Sequence, residues 1–103
     1  MFIQTQQTPN PNSLKFLIEK KVSLVGPIEF KDKSETSVSL VKNILSINGV
    51  TGIFLSDDYL SVNKDTNSEW ENLKHIIISY INEFYDQGNE CIISENKSEN
   101  SEE

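Results

Sequence analysis

The thiol and the imidazole that a nucleophile–base pair requires occur once each in this sequence, as Cys91 and His75. An imidazole beside a thiol would draw off its proton and make a small hydrolase or transferase. Nothing in their sequence separation forbids it. His75, however, sits in an amphipathic segment two positions from both Leu73 and Ile77, and reads as a boundary or surface histidine. Cys91 reads as a thiol near the end of the fold. Asp57-Asp58 could offer oxygens to a hard cation, but the glycine and terminal glutamate of a calcium loop are missing, and the pair reads as a solvated hairpin turn. Glu69 and Glu71 fall in the first turn of an expected helix, where negative charge complements the dipole. With four glycines in all, no phosphate-cradling loop can be assembled, and no Gly-x-Ser-x-Gly elbow is present. The expectation is a non-enzyme, with no catalytic, cofactor-binding or metal-ligating residue.

A single cysteine forms no intramolecular disulfide. It builds no zinc site or iron–sulfur site unless another chain supplies ligands. A reducing compartment follows as the simplest home. The net charge of −7 argues against nucleic acid and anionic membranes. All nine basic residues are lysines, so no guanidinium fork serves phosphate or carboxylate. The longest apolar run, Ile76–Ile78, is far short of the roughly 20 residues a spanning helix needs. Met1-Phe2-Ile3-Gln4 lacks the basic and apolar regions of a secretory signal. The sequon Asn96-Lys97-Ser98 is accordingly discounted.

The most unusual local feature is Thr8-Pro9-Asn10-Pro11-Asn12. Each proline fixes its own φ and extends the residue before it, and the asparagines favour side-chain-closed turns. This is a stiff loop. It serves either as a rigid strand connector or as a pre-ordered polar surface that a protein partner can bind at low entropic cost. Thr8, Pro9, Asn10, Pro11 and Asn12 are the candidate partner-binding residues.

The loop is flanked by two strand signals: weak alternation over residues 2–7, and clear alternation of Leu14, Phe16 and Ile18. Gly26-Pro27 marks a turn before a short strand with Ile28 and Phe30. From Ser37 the period becomes helical, with Val38, Val41, Ile44, Leu45 and Asn48 on one face, Ser37 or a near neighbour as N-cap, and Gly49 just past the end. Residues Thr51 to Lys64 read as a hairpin turning at Asp57-Asp58, with Ile53, Leu55, Leu60 and Val62 inward. Ser68 and Glu71 have capping-box spacing ahead of a stripe of Trp70, Leu73, Ile77, Tyr80, Ile81 and Phe84, which Gly88 ends. The order predicts an α+β, two-layer sandwich: a four- or five-stranded mixed β-sheet with two α-helices on one face, the first helix being a crossover between parallel strands. Residues 1–93 form the domain. Residues 94–103, rich in Ser, Asn and Glu, are expected to be a disordered acidic tail or linker.

The opening Met1-Phe2-Ile3-Gln4-Thr5, with Thr8-Pro9-Asn10-Pro11-Asn12-Ser13-Leu14-Lys15-Phe16 behind it, resembles the N-terminal domain of the Nfu/NifU iron–sulfur cluster family. Gly49-Val50-Thr51-Gly52-Ile53-Phe54, Leu60-Ser61-Val62-Asn63-Lys64 and Trp70-Glu71-Asn72-Leu73-Lys74 resemble later segments in the same order. Lys20-Lys21 stands in place of a Pro-Gly-like turn, and Asn48 in place of a proline. The resemblance implies iron–sulfur cluster assembly or delivery, with the cluster on a separate C-terminal Cys-x-x-Cys domain that this sequence lacks. These residues would then be an accessory domain that recognises the assembly machinery or apo client proteins, and a piece of a longer protein. The Met1 start favours a bacterial cytoplasm, with an organelle matrix as the alternative. Three rivals remain: a free-standing interaction domain, the Cys–His enzyme, and a cluster bridged by Cys91 across a dimer with external thiols completing its ligands.

Overall fold

A computed structural model describes residues 2–93, so the expected tail at 94–103 lies outside the described residues. Strand β1 (Gln4–Gln7) turns through the Thr8–Asn12 loop into β2 (Ser13–Leu17). After an irregular stretch come β3 (Ile28–Phe30), a 3-10 turn (Lys33–Glu35) and α1 (Ser39–Leu45). The hairpin β4 (Val50–Leu55) and β5 (Tyr59–Lys64) leads into the long helix α2 (Trp70–Asp86). The strands form one sheet in the order β1-β2-β5-β4-β3.

The alternation that defines the strands also builds the core. Leu14 and Phe16 of β2 face Val62 and Leu60 of β5, which in turn face Ile53 and Leu55 of β4, and all six are buried. Leu40, Val41 and Ile44 of α1 join the same cluster, as do Leu73, Ile77, Ile81 and Tyr85 of α2. Both helices therefore cover one face of the sheet. Each large aliphatic side chain buried here contributes about 1.5–3 kcal/mol. The centre of the α2 stripe is Leu73-Ile77-Ile81-Tyr85, while Trp70, Tyr80 and Phe84 are half-buried on its flanks.

The α+β layers, the five strands and the two helices match expectation; the pairing does not. Every strand pair in the sheet is antiparallel, so the sheet is not mixed. Phe30 lies opposite Ile53, so the chain leaves β3 and enters β4 at the same end of the sheet. Residues 31–49 are a wide excursion and not a crossover. Among the described residues the parallel pairing is confined to an isolated bridge between Ser23 and Ile93.

The caps also differ in detail. The expected Ser68–Glu71 box does not form: α2 begins after Glu69 with no side-chain cap. A capping box occurs instead at Asp32 and Glu35 around the 3-10 turn. Val38 precedes α1, and its N–H is taken by Thr36 Oγ1 at 3.1 Å. Gly49 closes the turn after α1 with φ +103°, and any Cβ there would run into Ser68, whose own Cβ would be 2.9 Å away. Gly88 follows α2 with φ +98° and open space around it.

The two glycines thus separate backbone strain from crowding. Gly88→Ala carries strain alone and should cost about 1–2 kcal/mol. Gly49→Ala should cost more, about 2–4 kcal/mol, and Ser68→Gly in the same chain should recover part of the difference. Thermal denaturation of the three variants measures this; equal losses for the two glycines would refute the crowding.

Candidate functional site: the cleft at the β1–β2 loop

The five residues singled out in the sequence form one rigid corner. The Asn10 Oδ1 accepts the Asn12 N–H at 2.9 Å, closing a side-chain turn. The Ser13 N–H reaches the Asn10 carbonyl at 3.0 Å. Thr8 Oγ1 accepts the Asn10 N–H at 3.1 Å and lies 2.8 Å from the Asn10 carbonyl. Asn12 ties the loop to β5: its carbonyl accepts the Lys64 N–H at 2.8 Å, and its Oδ1 accepts from Lys64 Nζ at 3.2 Å. The exposed surface of the loop is carried by Pro9, Asn10 and Pro11, while Thr8 and Asn12 are half-buried.

Trp70, at the first position of α2, donates its indole N–H to the Pro11 carbonyl at 3.0 Å. A half-buried indole needs such a partner for its one polar group. The bond joins residues 59 positions apart and anchors the start of α2 on the loop. Lys64 Nζ lies 5.8 Å from the Trp70 ring centre, and its two hydrogen-bond acceptors, Asn12 Oδ1 and the Asp65 carbonyl, are neutral.

Between the loop, β1 and the start of α2 opens a cleft of about 330 Å³. It arises because β1 is entirely polar: Gln4, Thr5, Gln6 and Gln7 bury no side chain, so the helix layer gains nothing by extending over it. α2 lies along β2 instead, and the inward side chains of β1, Thr5 and Gln7, look across open space at Trp70 and Lys74. The loop residues Thr8, Pro9, Asn10 and Pro11 close one end. In the sequence Trp70 was legible as part of a core stripe and of a segment that carries the resemblance, and Trp70, Lys74, Thr5 and Gln7 were not named as candidate site residues. The available signal was the Trp70–Lys74 spacing of one helical turn on the flank of that stripe.

The other candidates stay apart. His75 is exposed on α2, ten residues and roughly 15 Å of helix from Tyr85. Cys91 lies at the Tyr85 end, where the following residue, the buried Ile92, bonds to the Val22 carbonyl. Burial, and secondarily the charge of Glu90, pushes the Cys91 thiol upward. This is the opposite of an activated nucleophile. Asp57 and Asp58 form the hairpin turn, and their carbonyls accept the N–H groups of Val22 and Ile18. Among the described residues, no group of three or more His, Cys, Asp or Glu is arranged to hold a metal. One thiol does not fit the four-ligand needs of an iron–sulfur cluster.

The sequence model of the family described as "Scaffold protein Nfu/NifU N terminal" matches residues 3–88. The chain is 42% identical over 89 residues to NifU-like protein 4, mitochondrial, of Arabidopsis thaliana, covering 85% of this chain and 31% of that protein. It is 36% identical over 100 residues to the human mitochondrial NFU1 iron-sulfur cluster scaffold homolog, covering 95% of this chain and 39% of that one. It thus spans about a third of the length of these curated relatives. Among solved structures it resembles a NifU-like protein of Saccharomyces cerevisiae with a TM-score of 0.80 at 30% identity, covering 94% of this chain and 86% of that one. It also resembles protein SAV1430 of Staphylococcus aureus with a TM-score of 0.67 at 25% identity, covering 79% and 99%.

Two outcomes check this account of the titrating groups. Alkylation of Cys91 by iodoacetamide at pH 7 should be no faster than that of an unstructured thiol and should be unchanged by His75→Ala; a fast reaction that His75→Ala slows would revive the Cys–His pair. Burial, and then the charge of Cys91, raises the Tyr85 hydroxyl above its ordinary value of 10.0, and that hydroxyl donates to the Lys21 carbonyl at 2.6 Å. The folded state favours the neutral phenol, so this stabilisation is complete below pH 10 and is lost as pH rises above it. Tyr85→Phe should lose about 1 kcal/mol at neutral pH and show a shallower decline in melting temperature above roughly pH 10.

Proposed function

The chain belongs to the Nfu/NifU N-terminal family of iron–sulfur cluster scaffold proteins, and we propose that it acts there as the partner-recognition domain of a cluster assembly or delivery protein. On this reading the cluster sits on a separate domain. The observation that carries this reading is the donor set: a family fold with one cysteine, whose thiol is disfavoured as a thiolate, and no described metal-binding group. Its span of about a third of the relatives fits a division of labour between domains. The role is non-enzymatic, and the partners are iron–sulfur assembly proteins or apo client proteins. The Arabidopsis and human relatives are named as mitochondrial, which favours an organelle matrix over a bacterial cytoplasm for this chain.

The recognition surface on this reading is the corner formed by Thr8, Pro9, Asn10, Pro11 and Asn12. Its internal hydrogen bonds hold it in one shape before a partner arrives, which lowers the entropic cost of binding. Asn10→Ala with Asn12→Ala should weaken binding to a purified apo client several-fold by calorimetry. The same variant should lose no more than about 1–2 kcal/mol of stability, since the lost bonds lie at or near the surface. Unchanged affinity would remove the loop from the interface. Stoichiometric cluster assembly on this chain alone, seen as visible absorbance after reconstitution with iron and sulfide and lost in Cys91→Ser, would overturn the division of labour.

A further inference from the structure

The two edges of the sheet are treated differently. β3 is three residues long, follows Pro27 and carries Glu29, which are devices that discourage strand addition. β1 is one residue longer and lacks the other two: Gln4-Thr5-Gln6-Gln7 is uncharged, contains no proline, and pairs without a bulge to β2. Among the described residues no strand lies beside its outward N–H and C=O groups. Phe2, just ahead of β1, is 66% exposed. A strand added at this edge would lie about 4.8 Å from β1 and send every second side chain to the face of Thr5 and Gln7. That face is the cleft; among the described residues its one charged lining residue is Lys74 and none is acidic, in a chain of net charge −7. A volume of about 330 Å³ holds one or two side chains.

We propose that the β1 edge binds an extended, acidic segment of a partner protein as an added strand, with an aspartate or glutamate side chain entering the cleft between Trp70 and Lys74. This rests on the recognition role argued above and gives it a chemistry. Main-chain bonds to β1 supply affinity, and the cleft selects for a carboxylate. Thr8 to Pro11 wall the end of the cleft and limit how far the segment runs.

The test uses the full chain and an N-acetylated, C-amidated heptapeptide alternating valine with aspartate. Trp70 is the only tryptophan, so its emission reports occupancy of the cleft. The peptide should shift that emission and slow amide exchange at alternate residues of Gln4–Gln7. A peptide with lysine in place of aspartate should bind at least fivefold more weakly, and Lys74→Glu should reverse the preference. N-methylation of the peptide at alternate residues should abolish binding in one register and spare it in the other. Equal binding of the two peptides, unprotected β1 amides, or indifference to N-methylation would each overturn the proposal. A purified apo client that binds while leaving the β1 amides unprotected sinks the edge and spares the recognition role. Peptide binding with no client binding does the reverse.

Discussion

The position of α2 along β2 is set by a ring with a polar tip near each end of the helix. At its start the Trp70 indole N–H donates to the Pro11 carbonyl; near its end the Tyr85 hydroxyl donates to the Lys21 carbonyl. Between them Leu73, Ile77 and Ile81 bury their side chains and supply most of the attraction. Apolar contact alone is non-directional and would tolerate sliding or rotation. A bond of fixed length near each end removes that freedom, because moving the helix would strip a carbonyl of its donor. Much else follows from this placement. α1 fills the space beside α2 over β4, β1 is left uncovered, and the chain after α2 returns so that Ile92 fills the core beside Val22.

What the sequence made legible was whatever depends on near neighbours. The alternation of Leu14, Phe16 and Ile18, and of Ile53, Leu55, Leu60 and Val62, set both the strands and the face they bury. The stiffness of the Thr8–Asn12 loop came from prolines and asparagines acting on adjacent backbone. Direction and partner choice in the sheet are not local properties. A β-α-β order normally signals a parallel crossover, yet here Phe30 pairs with Ile53 and Ile28 with Leu55, so β4 starts where β3 ends. That choice is made by the pairing of two strands distant in the chain, which the helix between them does not encode. Ser68 was misread for a similar reason. Its spacing to Glu71 suits a cap, but it packs against Gly49, a contact no local pattern encodes.

The cleft was hidden for the same reason. Trp70 reads as one more apolar residue of a helical stripe until its N–H is seen to need an acceptor, and that acceptor lies 59 residues away. Thr5 and Gln7 gain meaning only because the register of β1 on β2 turns them toward the helices while α2 stops short of them. The candidate loop was therefore found as a wall, and the space it encloses required the fold. The lone thiol was legible as one ligand where a cluster needs four, and the fold adds burial, and secondarily the charge of Glu90, both of which disfavour the thiolate.

Loop and edge strand differ in what each offers a partner. In the loop, Asn10 and Asn12 have committed their side-chain oxygens and the carbonyls of Asn10, Pro11 and Asn12 already accept. It presents shape, two proline rings and amide donors, which suits discrimination more than strength. β1 presents the opposite: a run of main-chain donors and acceptors that any extended segment can satisfy, which gives strength with little selectivity. A surface with only the second property would be an aggregation hazard. On the reading proposed above, a rigid corner and a lysine beside the open edge would restrict which segments pair with it.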